Sequence, residues 1–266
     1  MEKTNYTQIN MKKGEMNIYN FGKVKLHAYK TNDLISDEVF IVEKDNKAVI
    51  IESPCFYDNI KELTDYIVEN KLSVEGVLIS YHASGATFLP NVKKYATKNA
   101  DEYGHSGGGK ALIDNFTKAF GDIFDNSIHE TTNFIENGKQ IIGGIEFDIV
   151  DKSEGFDIII PEINAVYTHM LGHDCHSIVA GANHADVIIN ELKDYLKNGY
   201  DLILTSHYTP ENLKDVKTKI AYLEDLKKIA KSVKSAEEFK SKVNEKYQNY
   251  SGGNYLDMTT SFFFQN

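Results

Sequence analysis

The 266-residue sequence contains no arginine, and all 29 of its basic residues are lysine. The formal net charge is −10. Because the planar arginine side chain is the preferred bidentate ligand of phosphate and guanine, its absence from an acidic chain argues against nucleic-acid binding. The same absence weakens any phosphotransfer function that depends on an arginine clamp.

Cysteine and long apolar runs are also scarce. Cys55 and Cys175 are too few for a disulfide framework, and neither stands in a C-x-x-C pair. Residues 1–21 contain no continuous apolar segment of the kind found in leader peptides, and no run approaches the roughly 18 apolar residues of a membrane span. These features predict a soluble, cytoplasmic protein with free thiols and no membrane partner.

The remaining composition is that of an ordinary globular protein, with 41% hydrophobic and 26% charged residues. Three β-rich segments, KVKLHAY, EVFIVE and KAVIIE, follow one another, and a turn at residues 44–46 predicts a hairpin between the last two. The spacing of Ile60, Leu63 and Ile67 then predicts a helix. The next segment, VEGVLIS, has the character of a buried strand, and it ends just before His82.

The second half of the chain alternates strands and helices. Polar, glycine-rich residues 99–110 predict a loop that leads into a helix, ALIDNFTKAF. Strands are predicted at QIIGGIEFDIV, FDIIIP, NAVYTHML and YDLILTS, with a helix at residues 185–197. Thr209 and Pro210 predict a helix start, and a capping box predicts another helix after Ser235. This order favours a mixed α/β sandwich over a doubly wound parallel sheet.

Four segments resemble the metallo-β-lactamase superfamily. EVFIVEKDNKAVIIESPCF and VEGVLISYH are similar to its N-terminal half, and NAVYTHMLG and DLILTSHYTP are similar to its C-terminal half. The resemblance covers about residues 23–211. It implies an αββα four-layer sandwich with a C-terminal helical extension, in which residues 1–208 form the core domain and residues 209–266 form helices packed on the same domain.

The metal-binding loop of this superfamily, H-x-H-x-D-H, is degenerate here. Aligned from His82, its later ligands become Ser84, Ala86 and Thr87. Hydroxyl groups are poor zinc ligands and a methyl group is none, so the usual binuclear site cannot form from this loop. The resemblance retains His82 and also His207, which stands where the final histidine of the family falls.

A histidine-rich stretch, THMLGHDCHS, offers replacement ligands. Imidazole, carboxylate and thiolate groups are the ligand types of zinc, iron and nickel. We therefore predict a rearranged site for one zinc or other divalent transition metal ion. Its ligands would come from His82, His169, His173, Asp174, His176 and His207. The alternative is that these histidines only hydrogen-bond to neighbouring groups, as we expect for His27, His129 and His184.

The glycine-rich segment matches two other motifs. Residues 104–108 fit G-x-S-x-G, with Ser106 as the nucleophile of a serine α/β-hydrolase and Asp174 and His207 in the chain order of a triad. The approach to Ser106 is polar, whereas a nucleophile elbow needs an apolar strand there. A phosphate-binding pattern ends at Lys110 but lacks the following serine or threonine. The glycines are also typical of a mobile flap over a pocket.

Two functions therefore stay open. The first is a hydrolase-like enzyme with a reduced or rearranged metal site, acting on an ester, thioester, lactone or amide. The second is a metal-free, catalytically inactive relative that serves as a ligand-binding or interaction module. Both imply a small-molecule ligand. The apolar Phe262–Phe264 run predicts packing on the domain or within a homodimer.

Overall fold

The computed structural model describes residues 6–264. Residues 1–5 and the last two residues of the predicted C-terminal extension lie outside this range. The strands are β1 Tyr6–Asn10, β2 Glu15–Asn20, β3 Val24–Lys30, β4 Glu38–Lys44, β5 Lys47–Ile51, β6 Ser73–Leu78, β7 Lys94–Ala96, β8 Asn133–Phe134, β9 Gly138–Ile142, β10 Ile145–Asp151, β11 Phe156–Ile160, β12 Ala165–Thr168, β13 Leu202–Thr205 and β14 Tyr208–Glu211. The α-helices are α1 Tyr57–Glu69, α2 Lys98–Ser106, α3 Gly108–Phe120, α4 Ala182–Asn198, α5 Leu213–Ser232, α6 Ala236–Lys246 and α7 Gly253–Phe263.

The described chain divides into two compact units. The first contains residues 6–170 and 204–210, and the second contains residues 171–203 and 211–264. The boundary predicted after residue 208 stays a prediction.

The strands form two sheets. Eight strands, β1 to β8, lie side by side in chain order, antiparallel from β1 to β5 and parallel from β5 to β8. The second sheet has the order β14-β13-β12-β11-β10-β9. The predicted hairpin of β4 and β5 is confirmed, with Val42 opposite Val49. The α/β sandwich predicted from the sequence is also confirmed.

Strand β4 is buried on both faces, which explains its continuous run of apolar residues. Val39 and Ile41 pack in one cluster with Leu63 of α1. Phe40 points to the opposite face, as alternation along a strand requires, and its ring centroid lies 6.0 Å from that of Tyr167 in β12. A helix therefore covers one face of the first sheet, and the second sheet covers the other.

The two sheets are also joined by Ser80, which follows β6. Its hydroxyl donates to the carbonyl of Phe156 at 2.6 Å and accepts from the Phe156 N–H at 2.7 Å. Phe156 begins β11. The carboxyl end of β6 is thereby held against the second sheet.

The prediction of a loop at residues 99–110 is wrong, because this segment forms the end-to-end helices α2 and α3. The Thr97 side chain accepts the N–H of Ala100 and so begins α2. The glycines after α2 leave room for the ring of Tyr103, since a Cβ atom added at Gly108 would lie 2.8 Å from that ring. Close packing on an aromatic ring, rather than mobility, accounts for the glycines.

The helix start predicted at Thr209 and Pro210 is also wrong, because both residues lie in β14. Helix α5 begins three residues later at Leu213, where Asn212 and Asp215 form a capping box. The reciprocal bonds of this box satisfy the free N–H groups at the helix start better than a lone threonine can. The capping residue predicted for α6, Ser235, is confirmed.

The C-terminal aromatic residues pack within the second unit. The rings of Phe263 and Phe264 lie 5.4 and 5.5 Å from that of Phe239, while Phe262 is 39% exposed. The homodimer stays a prediction. None of the helices in residues 6–264 combines the length and apolar character needed to cross a membrane.

Candidate metal centre

Three histidines converge where three strands end. His82 follows β6, His169 follows β12, and His207 follows β13. Their ring centroids lie 4.9 Å apart for His82 and His207, 5.3 Å for His169 and His207, and 5.5 Å for His82 and His169. Each ring offers one nitrogen, and these nitrogens all lie within 4.8 Å of one another. The arrangement is compact enough for three imidazoles to bind one ion.

Glu52 holds the backbone of the His82 loop. Its carboxylate, fully buried after β5, accepts the N–H groups of Tyr81 at 2.8 Å, His82 at 3.2 Å and Ser80 at 3.3 Å. It also accepts the Tyr167 hydroxyl at 2.6 Å. Burial raises the pKa of Glu52 to about 7, although these hydrogen bonds favour its charged form. The backbone of Glu52 has φ +64°, a conformation that costs energy outside glycine, so the local structure is maintained by these contacts.

The other two imidazoles are positioned by neighbouring aromatic and backbone groups. The ring of Tyr81 stacks on His169 with centroids 4.8 Å apart and an interplanar angle of 13°. The carbonyl of His169 accepts the N–H of Ser206 at 3.0 Å, which ties the β12 end to the residue before His207. The Nδ1 atom of His207 lies 3.2 Å from the carbonyl of Ile35.

All three rings are neutral at pH 7. Burial, with the neighbouring imidazoles, holds the pKa of His82 well below its usual value, and burial beside His207 lowers the pKa of His169 to about 3. Burial also lowers the pKa of His207, against the raising effect of its bond to Ile35. Because only the neutral imidazole binds a metal, the site is ready for an ion without losing protons from these rings.

Asp37 faces this histidine cluster. Its Oδ1 atom lies 3.4 Å from Nδ1 of both His82 and His207, and the residue is 1% exposed. Within residues 6–264 this oxygen makes no hydrogen bond. Two oxygen or nitrogen ligands of a tetrahedral zinc ion are about 3.3 Å apart. An orphaned carboxylate oxygen at this spacing from Nδ1 of His82 fits a transition metal ion, whereas Nδ1 of His207 also faces the Ile35 carbonyl and cannot donate to it and bind an ion at once.

The other residues predicted as ligands make different contacts. His173 Nδ1 lies 2.6 Å from Glu211 Oε1 and groups with Glu211 and Asp215. His176 Nδ1 lies 3.0 Å from the Tyr222 hydroxyl. The carbonyl of Asp174 accepts the N–H of Ser251. The structure thus brings together three of the six predicted residues, and a metal-binding role for His173, Asp174 and His176 stays a prediction.

The serine-hydrolase alternative lacks its required structure. Ser106 ends α2, and its hydroxyl donates to the carbonyl of Glu102 one turn earlier at 3.1 Å. A nucleophile elbow needs a strand in that place. The phosphate-binding pattern is equally without a directly preceding strand, because its first glycine, Gly104, lies within α2.

Asp37 and Glu52 were not predicted as site residues. Each lies at an end of a predicted strand, and each is almost fully buried. A carboxylate at the end of an apolar strand is a signal that points to a buried acidic group, yet its partners depend on tertiary contacts. Cys55, 2% exposed and 3.3 Å from Asp37 Oδ2, was noted only as a thiol.

Comparison with solved structures identifies the fold. The sec-alkylsulfatase Pisa1 from Pseudomonas sp. is similar over 93% of this chain, with a TM-score of 0.60 and 14% identity. The metallo-β-lactamase from Erythrobacter litoralis is similar over 82% of this chain and 100% of its own, with a TM-score of 0.56 and 12% identity. DIM-1 metallo-β-lactamase is similar over 82% of this chain and 99% of its own, with a TM-score of 0.50 and 14% identity.

The chain therefore has the metallo-β-lactamase fold, as its sequence predicted. It spans about half the length of the alkylsulfatase, 49% of that chain. No protein-family model and no curated protein matches the sequence.

Proposed function

We propose that this chain is a metal-dependent, hydrolase-like protein in which His82, His169 and His207 hold a divalent transition metal ion, with zinc as the first candidate. One observation carries the proposal: three partly buried imidazoles place one nitrogen each within 4.8 Å of the others. Catalytic zinc sites typically use three protein ligands and leave a further position for water or substrate.

A metal ion in such a site supplies Lewis-acid chemistry, which activates water and polarises the carbonyl of an ester, thioester, lactone or amide. The chain itself supplies position and environment. Glu52 fixes the backbone that carries His82, and Tyr81 holds the plane of the His169 ring. Asp37 Oδ1 offers a further ligand beside His82.

A metal-free ligand-binding module is the second candidate, and the degenerate loop favours it. The Thr87 hydroxyl donates to Asp125 at 2.6 Å, and the backbone of Ser84 forms a β-bridge with Ile128. The Thr87 side chain, at a position that holds a ligand in the superfamily loop, therefore stabilises local structure in this chain. A pocket that lost its metal would retain the same backbone.

Elemental analysis of the full chain, purified without a chelator or a metal-affinity tag, separates these functions. The proposed hydrolase-like function predicts at least one transition metal ion per chain. His82→Ala should lower the metal content by one ion, whereas His105→Ala, which removes an imidazole from α2, should leave it unchanged. Trace metal in the wild-type protein would favour the metal-free module, and an unchanged metal content in His82→Ala would reject this ligand set.

A further inference from the structure

A second group of metal-ligating side chains lies beside the histidine cluster. It consists of Asp33, Asp37 and Cys55, whose ligand atoms all lie within 4.8 Å of one another. The Cys55 thiol donates to Asp37 Oδ2 at 3.3 Å. A thiolate and a carboxylate bound to the same tetrahedral zinc ion have their ligand atoms about 3.5 Å apart. The spacing already present is therefore close to that of a metal site.

The carboxylates of this group lack a positive partner. Asp33 Oδ1 accepts the N–H groups of Ile35 and Asp37, but Asp33 Oδ2 and Asp37 Oδ1 are buried and make no hydrogen bond among residues 6–264. No lysine forms an ion pair with Asp33 or Asp37 in this part of the chain. Burying carboxylates without a counter-charge is costly, so the group requires either protons or a cation.

Asp37 connects this group to the histidine cluster. Its Oδ1 atom faces His82 and His207, whereas its Oδ2 atom faces Cys55. One carboxylate thus presents a different oxygen to each set of ligands. Carboxylates in this arrangement bridge paired metal ions, and two-metal sites hold their ions about 3.5–4 Å apart.

We infer that Asp33, Asp37 and Cys55 form a second cation site, which shares the Asp37 carboxylate with the histidine site. This inference rests on the proposed function for its neighbouring ion. The Cys55 thiolate favours zinc or cobalt over calcium or magnesium at this site. Binding at this site transfers the Cys55 proton to solvent, because a coordinating thiol is deprotonated.

Titration of the metal-free full chain with Co²⁺ tests the inference by absorbance, independently of any activity. We expect two Co²⁺ ions per chain and a thiolate-to-cobalt charge-transfer band in the near ultraviolet. Cys55→Ser should abolish that band and lower the stoichiometry from two ions to one. Cys175→Ser is the matched control, because it removes the other buried thiol and should preserve both signals.

A second variant tests the site if Cys55→Ser does not fold. Asp33→Asn retains the oxygen that accepts the two backbone N–H groups and replaces the orphaned oxygen with an amide nitrogen, which is a poor ligand. This variant should bind the second Co²⁺ ion at least about tenfold more weakly, while its circular dichroism spectrum remains that of the wild type. An unchanged band and affinity in Asp33→Asn would overturn the role of Asp33.

The outcomes for the two sites can be distinguished. One Co²⁺ ion per chain with no charge-transfer band, lost in His82→Ala, would overturn the second site and leave the proposed function standing. A charge-transfer band that survives in His82→Ala with full stoichiometry would support the thiolate site and reject the histidine ligands. No bound cobalt in the wild-type protein would overturn both.

Discussion

Replacement of Glu52 by alanine tests whether this buried carboxylate positions the candidate metal centre. The substitution removes the acceptor of three backbone N–H groups, those of Ser80, Tyr81 and His82. The Tyr167 hydroxyl loses one partner but remains 2.6 Å from Ser206 Oγ. The loop that carries His82 should therefore lose its anchor, while the sheets around it persist.

The expected loss of stability follows from the number of donors left without an acceptor. A buried donor without an acceptor costs about 1–3 kcal/mol, and the N–H groups of Tyr81 and His82 are only partly buried, so water can replace part of the loss. We expect Glu52→Ala to lower the free energy of unfolding by about 3–5 kcal/mol. Loss of a group that orients a metal ligand should also weaken metal binding about 10- to 100-fold.

Urea unfolding and Zn²⁺ titration of the metal-free protein measure these two effects. Glu62→Ala is a matched control, because Glu62 is also a nearly buried carboxylate that accepts two backbone N–H groups and a tyrosine hydroxyl. It should lose comparable stability and keep its Zn²⁺ affinity. If Glu52→Ala bound Zn²⁺ as tightly as Glu62→Ala, the positioning role of Glu52 would be refuted. Glu52→Gln, which keeps one acceptor oxygen, provides the measurement if the alanine variant does not fold.

Three further predictions concern the scaffold. Burial lowers the pKa of His129 to about 3, so the unfolded chain binds more protons between about pH 3 and pH 6.5 and stability falls as the pH falls through that window. The free energy of unfolding, measured with urea, should therefore fall by about 2 kcal/mol less between pH 6.5 and pH 5 in His129→Gln than in the wild-type protein. A pH profile identical to that of the wild type would contradict this account. Ser80→Ala leaves the N–H and carbonyl of Phe156 without their partner and should cost about 2–3 kcal/mol, which wild-type stability would disprove. Gly85→Ala should cost at least about 1 kcal/mol in thermal unfolding, because φ is +89° and the added Cβ would lie 2.3 Å from the Pro54 carbonyl; an unchanged melting temperature would show that the backbone can relax there.

The sequence predicted the fold more fully than the site. The strands before His82 and His207 could be predicted because an apolar run stops shortly before each histidine. The structure does bring the two rings together. Helix α2 was missed because its polar residues and glycines are typical of a loop, and its start depends on the Thr97 cap. Strand β1 was missed because it is exposed throughout and carries no buried face.

The acidic part of the site could not be predicted from spacing. Asp37 and Glu52 precede and follow different strands, and only the pairing of β4 with β5 and the path of the His82 loop bring them near the histidines. His173 and His176 are close to His169 in the sequence, but neither belongs to the group of His82, His169 and His207. Their rings instead contact Glu211 and Tyr222.

The candidate ligands are contributed by separate loops, from Asp33 near the start of the chain to His207 near its end. Metal ions held by these ligands would cross-link the loops at the ends of the strands, and the unfolded chain would have no comparable set of donors close together. Removal of the metal by a chelator should therefore increase the mobility of every loop that carries a ligand. The apparent affinity for metal should also depend on how completely the chain has folded.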